Sequence, residues 1–180
     1  MAGRATGIDL WETIAADARR ESHLWTSVLR PRETQERDQI FSRLGEERYA
    51  LGIETIYEGY LLHYGLPRLF APEDQDTALL LGDYLYAHGL VRIEEVGSVE
   101  AVSDLAELIA LCAYLRAEKI AGDGAVWAAT ATALGRGELE DGRSRLRLDN
   151  DANPLERLAR AQAGDAPVDH ALDTHRGRLR

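Results

Sequence analysis

One cysteine, Cys112, and one lysine, Lys119, are all that the 180 residues contain of those two types. A lone thiol cannot close an intramolecular disulfide, and it cannot build the zinc or iron–sulfur sites that need several thiolates. A reducing compartment, and hence the cytoplasm, is the expected setting. No apolar run approaches the roughly 18 residues needed to cross a bilayer, and the opening segment Met1–Gly7 lacks the apolar centre of a signal peptide. Of the 21 lysines and arginines all but Lys119 are arginine, which together with the abundant Ala and Leu points to a GC-rich bacterial genome and not to chemistry.

Positive charge is scarce overall. A formal net charge of −10 and a pI near 5.0 argue against nucleic acid as the main partner and disfavour acidic membranes, because phosphate binding needs a basic face. Arginines balance carboxylates over residues 136–180, so the excess negative charge lies in residues 1–135. The length suits one domain with a sizeable core, or one compact domain and a tail. The pattern favours the second: a helical domain over 1–134 and a polar, loosely ordered tail over 135–180, with a short helix at 153–163.

What is present is helical periodicity. Residues 8–29 place Trp11, Ile14, Ala15, Ala18, Trp25 and Val28 at three- and four-residue steps, and Pro31 interrupts them. A second stretch is expected from about Thr34 to His63, with Gly45, Gly52 and Gly59 bending it or permitting close packing. After a loop marked by Gly65, Pro67 and Pro72, Asp74 or Asp76 can cap a helix carrying Leu79 to Val96. Gly97-Ser98 makes a short turn, Ser98 caps the next helix, and two long helices joined so tightly must be antiparallel neighbours. An alanine-rich segment from Ala125 to Leu134 forms one more short helix containing Trp127. Asn153-Pro154 can start the helix through Ala163, while the rest of the tail has too few large apolar groups to offset the entropy of ordering. No strand-like alternation is present, and the expected fold class is an all-α bundle.

Common catalytic signatures are missing. His23, His63, His88, His170 and His175 include no HxxxH or HExxH pair, and there is no phosphate loop, nucleophile elbow or dinucleotide fingerprint. Glu73, Asp74 and Asp76 form an acidic cluster that suits a hard cation such as magnesium, although a solvated capping loop is the commoner use of such residues. Glu54 and Glu58 sit one turn apart without the Glu-x-x-His partner of di-iron bundles, so exposure on a helical face is expected. Cys112 shares a face with Leu105 and Ile109 and reads as a buried, inert thiol. Asp83, set in the run Leu79-Leu-Leu-Gly-Asp-Tyr-Leu-Tyr-Ala, is expected to be buried and to need a partner. Gly82 beside it suggests that another backbone approaches closely, since Gly costs roughly 1 kcal/mol relative to Ala in a helix.

The run Leu80-Leu-Gly-Asp-Tyr-Leu-Tyr-Ala-His-Gly-Leu, followed by Val96-Gly-Ser-Val-Glu-Ala-Val and Leu105-Ala-Glu-Leu-Ile, resembles two consecutive helices of trans-prenyl (polyprenyl) diphosphate synthases. Ile53-Glu-Thr-Ile-Tyr-Glu-Gly-Tyr-Leu-Leu-His63 resembles the helix that leads into the first aspartate-rich motif of that family. The similarity spans roughly residues 40–121 and implies the front half of the isoprenoid synthase fold. The family binds its allylic diphosphate through magnesium held by two DDxxD clusters. With His63 aligned to the histidine before the first, its aspartates fall on Tyr64, Gly65 and Arg68, and the tail holds no Asp-Asp pair for the second.

The resemblance therefore implies a non-catalytic accessory or dimerising subunit. Its candidate pocket residues are His63, Tyr64, Arg68 and Asp83, and its candidate interface residues are Tyr86, Leu90, Leu105 and Ile109. No cofactor is expected, and the partner is a second copy or a catalytic prenyl synthase. Two alternatives are a divergent isoprenoid-binding enzyme using magnesium at Asp74, Asp76 or Asp83, and a helical interaction protein unrelated to prenyl chemistry.

Overall fold

A computed structural model of the chain describes residues 9–180, so the reading of Met1–Gly7 lies outside the described residues. Nine α-helices follow one another without a strand among the described residues. They are α1 (Leu10–Glu21), α2 (His23–Ser27), α3 (Ala50–Tyr64), α4 (Gln75–Val96), α5 (Val99–Glu118), α6 (Asp123–Ala133), α7 (Glu140–Asp149), α8 (Asn153–Ala163) and α9 (Asp165–Arg178). The all-α expectation holds, and no described helix is long and apolar enough to cross a membrane.

Local chemistry sets several boundaries. Asp9 accepts from the backbone N–H of Trp11 and Glu12 to start α1, and Ser22, in extended conformation, ends it and caps α2. The single helix expected over 8–29 is thus split at a residue whose hydroxyl satisfies the new helix start. Asp74 and Ser98 cap α4 and α5 as expected, at 2.7 Å to Thr77 N and 3.3 Å to Ala101 N. The helix expected from Thr34 begins only at Ala50. Residues 32–49 instead hold three short 3₁₀ turns, and the Cβ-free Gly45 lies against the Ala131 carbonyl.

Helix α3 is buried on all sides from Gly52 to Leu62, and α6 is buried from Gly124 to Ala133. These two form the inside of the bundle, where Tyr57 and Tyr60 of α3 and Trp127 of α6 meet Phe41, from the segment before α3, in an aromatic cluster. Helix α4 packs chiefly on α3 through glycines. Gly59 stands against the Gly82 carbonyl and Gly52 against the Gly89 carbonyl, so the two backbones touch at two points about two turns apart. The close approach expected at Gly82 is present, and the α4–α5 hairpin closes through Gly97 as the sequence indicates.

The tail departs from expectation. Helix α8 has the predicted bounds, but α7 and α9 flank it, and Leu139, Leu146, Leu155, Ala159, Val168 and Ala171 belong to the same core as α3, α5 and α6. No domain boundary falls at residue 134, and 135–180 is not a loose tail. The physical reason is the smallness of the alanine-rich α6, which lets short side chains of α8 and α9 reach full burial where large ones would be needed against a bulkier helix. Arg160 adds pairs with Glu156, Asp165 and Asp169 across the α8–α9 corner.

Candidate functional site

The C-terminal end of α3 carries His63 and Tyr64, both half-buried. His63 stacks on Tyr86 of α4 with ring centres 5.1 Å apart, and its Nε2 lies 3.2 Å from Asp83 Oδ1 outside hydrogen-bond alignment. Burial pulls the His63 pKa below the ordinary histidine value despite the nearby carboxylate. Asp83 corrects the sequence reading: its side chain is 71% exposed, because it lies on the outer side of α4 while Gly82 faces α3. It pairs with His63 at the surface instead of needing a partner in the core.

Arg68 goes elsewhere. Its side chain is fully buried, donating from Nε to Glu58 at 3.0 Å, from Nη1 to Glu54 at 2.6 Å and to the Asp38 carbonyl at 2.9 Å. Trp11 and Tyr57 lie against the guanidinium at 4.6 and 4.9 Å. Glu54 and Glu58 are likewise fully buried, which overturns their expected exposure. Their remaining oxygens accept from the backbone N–H of Ile40, Ser42, Arg68 and Leu69. The triad clamps two loops to α3 and is committed to structure; it does not share a pocket with His63 and Tyr64. The i, i+4 carboxylates were visible in the sequence, but the arginine that answers them sits in a loop, beyond any periodic signal.

The acidic candidates are also committed or solvated. Both oxygens of Asp74 engage Thr77 at the start of α4, and Asp76 is exposed in the first turn of the helix. Among the described residues no three His, Cys, Asp or Glu side chains converge as metal ligands would. Of the interface candidates, Leu105 is buried inside this chain and is removed from that set, because its face of α5 packs into the core. Tyr86, Leu90 and Ile109 are half-buried at the edge of that core.

His63 and Tyr64 border a depression of 410 Å³ together with Arg116 and Arg180, and these two arginines also line a larger adjoining cleft of 740 Å³. The cleft lies where the C-terminal end of α5, the N-terminal end of α6 and the face of α9 converge. Its wall carries a polar network that sequence reasoning missed. Asp123, the first residue of α6, accepts from the Tyr60 hydroxyl and lies 3.1 Å from Arg116 Nε, which also donates to the Tyr60 oxygen at 3.0 Å. His175 of α9 meets the Tyr57 hydroxyl through Nδ1 at 2.9 Å, and its Nε2 is 3.6 Å from Asp123 Oδ2, too long for a hydrogen bond.

Burial alone would raise the pKa of Asp123, but the neighbouring His175 and Tyr60 and the Arg116 charge outweigh it and hold the carboxyl well below its ordinary value. Burial pushes the Tyr57 and Tyr60 phenols well above the ordinary tyrosine range, and the buried Cys112 thiol rises likewise. These groups hold protons at neutral pH, so the network supplies donors and a fixed charge but no ready nucleophile. A signal for His175 did exist, since Val168, Ala171, Leu172 and His175 follow the spacing of one helical face.

Comparison with protein-family models, with curated proteins and with solved structures returns no match for this chain.

Proposed function

We propose that the protein is a non-catalytic, self-associating helical subunit of prenyl-synthase type, working in the cytoplasm through the outward face of α4 and α5. The observation that carries this reading is the charge pattern of that face. In a chain with 29% charged residues, Tyr84–Val91 of α4 and Leu108–Leu115 of α5 contain no Asp, Glu, Lys or Arg. Ala87 and Val91 are exposed on α4, which also carries half-buried Tyr86 and Leu90; Ala110 and Tyr114 are exposed on α5, which carries half-buried Ile109, and border the Glu107–Arg147 pair at the edge of the face. Charge depletion around an apolar, aromatic-containing patch is the compositional mark of an interface core.

Two further points support the reading. The sequence resemblance implies that this helix pair crosses a subunit boundary, which makes a second copy of the chain the natural occupant. The positions matching the first aspartate cluster are Tyr64, Gly65 and Arg68, and Arg68 is consumed by Glu54 and Glu58, so the reading needs no bound magnesium.

Light scattering after size exclusion tests it. The parent chain should run at twice its 20.0 kDa mass, and Ala110→Glu, at an exposed position, should run as a folded monomer. Mixed with a catalytic prenyl synthase, a shift to a hetero-complex that Ala110→Glu abolishes would assign the same face to that partner instead. A parent chain that stays monomeric at high concentration and ignores the synthase refutes the proposal.

A further inference from the structure

The cleft between α5, α6 and α9 has a charge opposite to that of the molecule around it. Arg116, Lys119, Arg176 and Arg180 line it against only two carboxylates, Asp123 and Glu156. In a chain of net charge −10, that is a local side-chain excess of two positive charges. Two of the four cations, Lys119 and Arg180, form no salt bridge among the described residues; Arg116 is paired with Asp123 and Arg176 with Asp173. The N-terminal end of α6 opens into the same space. Gly122, at φ +133°, precedes it without a capping side chain, the Gly124 N–H donates to Asp123 Oδ1 at 3.0 Å, and Gly122, Asp123, Gly124 and Ala125 all border the cleft.

Two buried donors point to a missing acceptor. His175 is 2% exposed, lines the cleft, and its Nε2 has no hydrogen-bond partner. Arg116 Nη2 is buried and unpartnered too, although its Nε is engaged by Tyr60 and Asp123. Buried polar groups of this kind are satisfied in the great majority of proteins; Arg116 Nη2 is a donor, and His175 Nε2 is one in the tautomer whose Nδ1 accepts from the Tyr57 hydroxyl. The polar groups occupy one part of the wall; Leu115, Ile120 and Leu172 provide apolar surface in the rest. At 740 Å³ the space falls within the size range of small-molecule sites.

We propose that this cleft is a metal-independent binding site for a phosphate monoester with a small apolar body, the dianionic head resting on Arg116, His175 and the N-terminal end of α6. Lys119 and Arg180 attract the anion from the rim. A phosphate is favoured over a carboxylate because the excess charge is two and a phosphate head offers enough oxygens to meet both buried donors and the helix end. The proposal is independent of the α4–α5 association, because none of those groups lies on that face.

Calorimetric titration of the full chain with phenyl phosphate, in a metal-chelating buffer, tests it. Saturable binding with a Kd of roughly 1 mM or tighter is expected, weakened about tenfold in Lys119→Glu and unchanged in Arg145→Gln, which lies outside the cleft. Lys119 is exposed and makes no ion pair among the described residues, so its variant tests charge without endangering the fold. The His175 ring resonances should shift in parallel. No saturable heat at 10-fold higher ligand overturns the site, and so does binding that Lys119→Glu leaves intact with the His175 signals unmoved. Benzoate binding as tightly as phenyl phosphate would overturn the ligand class.

Discussion

Removing the positive charge at Arg68 should nearly unfold the protein, and repairing the loss with apolar residues should fail. The Arg68→Met substitution leaves Glu54 and Glu58 facing each other with no exposure and no countercharge. Breaking a buried ion pair costs about 3–5 kcal/mol, and here two carboxylates lose one common partner, so the cost should reach or exceed the top of that range. Replacing a whole buried ionic group by apolar residues is often neutral elsewhere. In this protein the carboxylates also accept from the backbone N–H of Ile40, Ser42, Arg68 and Leu69, at 3.2, 3.4, 2.8 and 2.7 Å. The triple substitution of Glu54, Glu58 and Arg68 by Met would orphan all four donors at about 1–3 kcal/mol each, against a typical domain stability of about 5–15 kcal/mol. Glu58→Gln keeps an acceptor for two of those N–H groups and should cost less than Arg68→Met. Urea unfolding followed by fluorescence of Trp11, Trp25 and Trp127 reads the order directly. A triple variant as stable as the parent, or an Arg68→Met midpoint unchanged from it, would refute the reasoning.

The glycine contact between α3 and α4 gives a second test. A Cβ at Gly59 would lie 2.9 Å from the Gly82 carbonyl oxygen, so Gly59→Ala should destabilise by about 1–3 kcal/mol even though Ala favours a helix, whereas Gly177→Ala, in open space on α9, should be stabilising by about 0.5–1 kcal/mol. Equal chemical-denaturation midpoints for the two would contradict the close packing. Acid dependence supplies a third. The folded-state pKa of Asp123 lies below its ordinary value of 3.8, so the unfolded chain takes up the proton first. Its contribution is fully present above that ordinary value and is lost as pH falls through the window between the unfolded and folded pKa values. Stability measured from about pH 5 down to pH 2 should therefore fall more steeply in the parent than in Asp123→Asn, and parallel curves would remove Asp123 from the network's stabilising role.

The sequence made some of the site legible and left the rest dark for physical reasons. His63 and Tyr64 stand at the end of α3, which Gly65 and the following Pro67 mark in the sequence, and they border one depression. Arg68 and Asp83 were expected in the same pocket, yet one is buried 14 residues from the carboxylate it answers and the other faces solvent. Helical periodicity reports which residues share a face, and it is silent about which loop residue reaches that face from outside. The Asp123–Tyr60–Arg116–His175 network joins four elements, and apart from the inward helical spacing of His175 nothing local marked its members as partners.

By itself the sequence determined the helical class, the cap at Ser98, the α4–α5 hairpin and the bounds of α8, because each rests on interactions within a few residues. Only the tertiary structure decided that residues 135–180 belong to the core, that Glu54 and Glu58 are internal, and that a basic cleft exists in an acidic chain. The difference is physical: burial of small or charged side chains depends on what lies opposite them. Here that is the alanine-rich α6 for the last helices, Arg68 for the two glutamates, and the joint ends of three helices for the cleft.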